Sequence, residues 1–248
     1  MTVNVVGVSD VGAVRDINED SIAIHQFSDE CMLAVLADGM GGYRGGEIAS
    51  KLCVEVMVMS LRPYLDNPGN HIQTEQQLLH AAQAANDRVY QLRLDQRDLS
   101  RMGTTLIAVV INKGQFSVIH AGDSRCYQQR KNQALTLITR DDSVVQAMLD
   151  DGTVTLAEAD RVPFKHILSK AVGVEKTLNY SVATHVWLPG QCLLLCSDGL
   201  YNTVTQERFG ASLAAPGSLQ KRAEDLLQDC LSLGASDNVS FIMIENDM

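Results

Sequence analysis

The chain has 248 residues, 46% of them hydrophobic and 20% charged, with a formal net charge of −10. That length and composition support a large buried core and exclude a disordered chain. The acidic balance argues against nucleic acid or an anionic membrane as a partner, and no stretch approaches the ~18 apolar residues of a membrane span.

The N-terminal segment MTVNVVGVSD has no basic region and no long apolar run, so no signal peptide is expected. The six cysteines, Cys31, Cys53, Cys126, Cys192, Cys196 and Cys230, form no Cys-x-x-Cys pair and fall in apolar periodic segments. They are expected to be reduced and buried, as in a cytoplasmic protein.

In chain order, β-branched content and alternation predict a strand at 3–8 and another at 32–37. Ile48, Leu52 and Val56 recur at helical spacing over 46–62. Leu78, Ala82, Ala85, Val89 and Leu92 do so over 74–97. Pro63, Pro68 and Gly69 separate these two, which reads as an αα-hairpin. Strands follow at 105–111, 116–121, 125–129 and 134–138. INKGQ, residues 111–115, is a hairpin turn in which Gly114 supplies a positive φ. Residues 141–186 are the least regular and read as a flap-like insertion over one edge of the domain. Strands at 191–196 and 239–244 bracket a third helix at 218–233, whose stripe is Ala223, Leu226, Leu227, Cys230 and Leu231. Tight hairpins imply antiparallel pairing, and amphipathic helices must lie on something. The expectation is a single α+β domain over 1–248, with antiparallel sheets inside and helices outside.

Three apolar strands end in an acid-containing turn: LAVLADG at Asp38, SVIHAGDS at Asp123 and LLLCSDG at Asp198. Asp237 precedes the strand NVSFIMI, and Glu19 and Asp20 lie in RDINED. Each Asp taken alone is an ordinary turn or cap residue. If the strand after Asp237 runs antiparallel to those ending at Asp38 and Asp198, however, the acids reach one sheet end. There they would repel and raise each other's pKa. Hard divalent cations, Mg²⁺ or Mn²⁺, relieve such crowding, and no Cys or His arrangement offers a competing zinc site. Two such ions roughly 3.5–4 Å apart can bridge one water and lower its pKa towards neutrality, which points to attack on phosphorus. Arg15 is placed to fork phosphate oxygens, or else to pair with Asp16 or Glu19.

With these blocks in this order, the chain resembles the PPM family of metal-dependent serine/threonine protein phosphatases (type 2C-like), in its compact bacterial form. The blocks are Arg15 to Asp20, Asp38-Gly39-Met40-Gly41-Gly42, Met102-Gly103-Thr104-Thr105, Gly122-Asp123-Ser124-Arg125, Ser197-Asp198-Gly199-Leu200 and Asp237-Asn238-Val239. The resemblance implies a four-layer α-β-β-α sandwich, with two antiparallel sheets between helix pairs. It implies two core Mn²⁺ or Mg²⁺ ions plus a third, looser one. Asp38 would bridge the core ions, Glu19 and the Gly39 carbonyl would serve one, and Asp198 and Asp237 the other. Asp123 with Asp198 would hold the third. Arg15 would grip the substrate phosphate, and Asp20 would bind metal-ligated water.

The implied activity is hydrolysis of phosphoserine and phosphothreonine by a metal-bridging hydroxide. The implied partners are phosphorylated proteins and a cognate Ser/Thr kinase, and the protein is expected to be a monomer. A phosphatase fold used as a binding module, or an enzyme acting on a small phosphorylated metabolite, are the alternatives.

The chain departs from the family pattern at three places. Met40 stands where animal members carry a proton-donating histidine. Asp142 replaces the histidine of an Asp-His-Ser triplet, and His166 replaces an asparagine. His166 is either a substitute proton donor or an ordinary solvated or core histidine. His120 falls close to the Asp123 turn. Among the glycines, Gly39 is expected to turn its carbonyl towards an ion and to keep the metal waters uncrowded. Gly41 and Gly42 would keep the cleft floor low, and Gly45 and Gly46 would turn the chain into a helix.

Overall fold

The computed structural model describes residues 3–41, 45–130, 133–159, 161–164 and 167–246. Strands β1 (Val3–Asp10), β2 (Asp20–Ser28) and β3 (Cys31–Met40) lead into helices α1 (Gly45–Leu65) and α2 (His71–Asp95). There follow β4 (Gly103–Thr104), β5 (Leu106–Asn112), β6 (Gln115–Ala121), β7 (Arg125–Arg130) and β8 (Thr136–Leu137). Short helices α3 (Val144–Asp150) and α4 (Leu156–Ala159) precede β9 (Ser181–Val186) and β10 (Gln191–Cys196). The chain closes with α5 (Asp198–Tyr201), α6 (Gln206–Ala214), α7 (Leu219–Ser232) and β11 (Val239–Asn246).

One sheet has the order β1-β11-β10-β7-β8. The other runs β2-β3-β5-β6-β9, with β4 paired to β3. All pairings between strands are antiparallel. The expected four layers follow from how each strand splits its side chains. Leu33, Val35 and Ala37 pack under α1 and α2, while Met32, Ala34 and Leu36 face the other sheet. On β10, Leu194 and Cys196 lie under the C-terminal helices, and Leu193 and Leu195 face inward. A strand buried on both faces reads as an unbroken apolar run rather than an alternating one. The 111–115 turn forms as expected, with Lys113 at φ 46° and Gly114 at φ 77°.

Among the elements without a counterpart in the sequence expectations are β2, β9, α5 and α6. On β2, Ile22 and Ile24 enter the inter-sheet core, while Ala23 and Phe27 pack on the α1/α2 side. With apolar residues on both faces of an edge strand, alternation is lost. Because Ser181–Val186 is an edge strand paired to β6, the irregular stretch runs only from 141 to 180. Helix α1 also runs two residues past Pro63, and α2 starts earlier than its stripe. It is entered by a reciprocal cap, in which Asn70 accepts from Gln73 N at 3.0 Å and Gln73 Oε1 accepts from Asn70 N at 3.0 Å.

All six cysteines are free and buried, as expected of small apolar side chains. Among the described residues, no helix is long and apolar enough to cross a membrane.

Candidate metal centre

Glu19, Asp38, Asp123, Asp198 and Asp237 all line one cavity of about 260 Å³, together with Arg15 and Gly39. The topology explains why. β11 runs antiparallel to β10, so Asp237 before the one and Asp198 after the other meet at the same end. β3 and β6 run the acids of the second sheet to that end too.

Asp38, Asp123 and Glu19 are anchored through their backbones. Asp38 N donates to Thr105 Oγ1 at 2.9 Å, and Asp38 O accepts from Thr105 N and Thr104 Oγ1, both at 2.8 Å. Thr104 and Thr105 of the Met102–Thr105 block are thus the clamp on Asp38. Thr105 Oγ1 also shares a 2.7 Å hydrogen bond with Ser124 Oγ, beside Asp123. On the far side of that turn, Tyr201 donates its hydroxyl to Asp123 O at 3.1 Å. Arg125 stacks 3.7 Å over the Tyr201 ring and forks Asp141. Glu19 N donates to Asn238 Oδ1 at 2.8 Å, and Glu19 O accepts from Ser50 Oγ and from Gly39 N.

At position 39 packing alone already excludes a side chain: a Cβ there would overlap the Gly46 carbonyl. Gly46 is tight in return: its Cβ would stand 2.5 Å from Glu19 Oε1 and 2.7 Å from the Gly39 carbonyl carbon. The bare backbones let the N-terminus of α1 reach the site, where the Gly46 N–H donates to the Glu19 carboxylate. Gly41, at φ 143°, lines the cavity and also packs against the Met102 backbone, so a side chain there would be both strained and crowded. Gly42 and His166 lie outside the described residues.

Electrostatics sets the character of the site. Asp38 is pushed well above the ordinary carboxylate range, first by burial and then by the charges of Asp20, Asp198, Asp123 and Asp237. Asp123 is raised to about 7 by burial, Asp198 and Asp141. Glu19 is raised by burial, against the Gly46 N–H and Arg15. Asp20 lies outside the cavity wall, buried behind it. There Ser197 Oγ donates to it at 2.8 Å, and burial raises it to about 6. Asp198 accepts from Asn202 Nδ2 at 3.1 Å. Arg15 pairs with neither Asp16 nor Glu19: its Nη2 lies 2.9 Å from Asp237 Oδ2, with both side chains partly exposed.

This donor set fits hard divalent cations. It is all oxygen, it is anionic, and its acids are short of counter-charge. Among the described residues no three acids close into a ready chelate. One or two carboxylates per ion, completed by water, is how Mg²⁺-like ions are held.

Two histidine expectations resolve differently. His120 is buried with Nε2 2.9 Å from Arg140 O, facing the strand exit and not the cavity. Asp142, in place of a histidine, pairs with Lys170 at 2.6 Å and accepts from Gly122 N at 3.3 Å.

Asn238 is the residue sequence reasoning missed. Its Nδ2 donates to Val11 O and Ile17 O, both at 2.9 Å, while its Oδ1 takes Glu19 N. One buried amide thereby staples the whole Arg15–Glu19 loop to β11. The only signal was its place beside Asp237.

Residues 13–232 match the family model described as Protein phosphatase 2C. The chain belongs to the protein phosphatase 2C family. Its sequence is 30% identical over 241 residues to the serine/threonine phosphatase stp of Listeria monocytogenes, covering 97% of this chain and 94% of that relative. The crystal structure of the Mycobacterium tuberculosis serine/threonine phosphatase PstP/Ppp matches at TM-score 0.87 and 32% identity, over 100% of both chains. A structure of the PstP catalytic domain in complex with 2 manganese ions matches at TM-score 0.83 and 32% identity, over 98% and 97%. Protein phosphatase 2C enzymes are metal-dependent serine/threonine phosphatases that use Mn²⁺ or Mg²⁺.

Asn238→Ala leaves Glu19 N, Val11 O and Ile17 O without their partner. It should cost about 2 kcal/mol of stability and weaken Mn²⁺ binding about tenfold. Urea denaturation and calorimetric Mn²⁺ titration measure the two, and unchanged Mn²⁺ affinity would refute the staple.

The raised carboxyls also set a pH dependence. Asp20 and Asp123 favour the folded state when protonated. Their contribution is complete below the ordinary Asp range and is lost as pH rises through about 6 and about 7. In EDTA, Tm should therefore fall between about pH 4 and about pH 7, and saturating Mn²⁺ should flatten the slope. Scanning calorimetry showing a Tm in EDTA that rises across that window would contradict the charge cluster.

Proposed function

We propose that this protein removes phosphate from phosphoserine and phosphothreonine in proteins, opposing a bacterial Ser/Thr kinase. The convergence of five carboxylates and one arginine in a single cavity carries the reading.

Asp38 would be shared between two core ions, Glu19 and the Gly39 carbonyl would help hold one, and Asp198 and Asp237 the other. Asp123 with Asp198 would help hold a third. When bound, the ions supply a water-derived nucleophile at neutral pH and neutralise charge on phosphorus. The protein's own part is to hold the carboxylates against their repulsion and to orient the substrate. Arg15 stands beside Asp237 at the mouth, where its fork meets phosphate oxygens. Asp20, behind the wall and hydrogen-bonded to Ser197, orders water near Asp38 and Asp198. Met40 carries no exchangeable proton, so the leaving group draws its proton from solvent in the cavity.

Residues 1–248 act as one phosphatase domain with a flap at about 141–180, in the cytoplasm. A monomer suffices because every site residue comes from one chain. The cognate kinase is the partner whose products it consumes.

Asp38→Asn should lower Mn²⁺-dependent turnover of a phosphothreonine peptide by roughly a thousandfold or more. Equal turnover by the two proteins would sink the assignment. Arg15→Ala should raise KM about tenfold, while Mn²⁺ affinity holds or improves as Asp237 loses a competitor. Collapse of Mn²⁺ affinity in that variant would make Arg15 structural instead.

A further inference from the structure

Met40 and Leu168 are the large apolar side chains in the wall of an otherwise polar cavity. Neither can ligate a hard cation or carry a proton. Their surface continues outward. Met40 Cε and Val174 Cγ2 flank the same bare backbone, each 2.9 Å from where a Cβ on Gly103 would stand. Val174 is 38% exposed, and Ile167, next to Leu168, is 53% exposed. Beside Arg15, Val14 is 67% and Ile17 45% exposed.

These side chains do not stand in water because their backbone frays. Asn238 holds the Ile17 carbonyl, Ala13 N donates to Ala235 O at 2.8 Å, and the Ile167 carbonyl accepts from Val144 N at 2.9 Å. A fixed backbone that presents aliphatic side chains around a charged cleft marks an interaction surface. The occupant follows from the neighbouring chemistry. The cavity admits a phosphorylated side chain, so the residues flanking that side chain are what reach its rim. Acidic flanks would meet the cavity's carboxylates and a chain of net charge −10. Apolar flanks bury the exposed aliphatics.

The geometry points to a recognition shelf, formed by Val14, Ile17, Met40, Ile167, Leu168 and Val174. It takes a phosphorylated polypeptide segment with large apolar side chains next to the phosphoresidue. The inference rests on the phosphatase reading and specifies its substrate class. Met40 gains a role through it: the position that carries a proton donor in animal members is here part of the shelf.

The test uses the whole protein with Mn²⁺ and three phosphothreonine peptides of equal length, flanked by Leu and Ile, by Gly, or by Asp. p-Nitrophenyl phosphate reports the chemistry alone. The apolar-flanked peptide should exceed the Gly-flanked one about tenfold in kcat/KM, with the Asp-flanked peptide lowest. Combining Val14→Ser, Ile167→Ser and Val174→Ser should compress that preference to about twofold while nitrophenyl phosphate turnover stays unchanged. Equal turnover of the three peptides, preference for Asp flanks, or a preference that survives the serine changes overturns the shelf. So does a serine variant that loses nitrophenyl phosphate turnover as well, because the residues would then be structural. Native protein inactive on every substrate overturns the phosphatase reading itself.

Discussion

Carboxylates brought together out of water repel one another, and the rest of this structure is arranged around that repulsion. Asp38 is buried and meets the charges of Asp20, Asp198, Asp123 and Asp237, and burial first, then these charges, push its carboxyl well above the ordinary range. Side chains so placed would swing apart on a compliant scaffold. Here the strain is carried by main-chain hydrogen bonds: two threonines on Asp38, an asparagine and a serine on Glu19, a tyrosine on Asp123. These anchor to strands buried on both faces, whose apolar packing supplies the free energy that the acid cluster costs.

The same constraint accounts for the glycines. For the N-terminus of α1 to offer an N–H to Glu19, its first turn must touch the end of β3. Gly39 and Gly46 meet there with no room for a side chain on either. Helix packing, strand ending and electrostatic tuning of Glu19 are thus a single contact. The helix itself is placed by an unremarkable apolar face, with Ala49, Cys53, Met57 and Leu61 fully buried on the sheet.

Where the chain departs from its family's motif, neighbouring residues compensate. Asp142 would add yet another negative charge near Asp123, but Lys170 pairs with it and Gly122 N–H donates to it. The acid therefore ties the 141–180 stretch to the Asp123 turn. Met40 trades proton chemistry for apolar surface that continues through Val174 to the rim. Both changes fall beside the cavity and leave the five carboxylates in place.

The acids themselves were legible in the amino-acid sequence, because strands that end in Asp and hairpins that force antiparallel pairing carry carboxylates to one end. The long helices showed in their 3.6-residue stripes for the same local reason. β2 and β9 did not show, since an edge strand in a layered sandwich keeps no clean alternation. Neither did the partner of Arg15 or the reason for Gly39. The guanidinium found Asp237, 222 residues away, and the glycine's lack of a side chain answers to a helix seven residues on. Asn238 reads in sequence as a residue after an acid, yet it organises the loop that bears Arg15 and Glu19. By itself the sequence determined which acids end or precede the apolar strands and roughly which layers hold them, because periodicity and turn chemistry are local. Only the tertiary structure decided which groups touch, because hydrogen bonds and close approaches between distant segments depend on register and packing that no local pattern encodes.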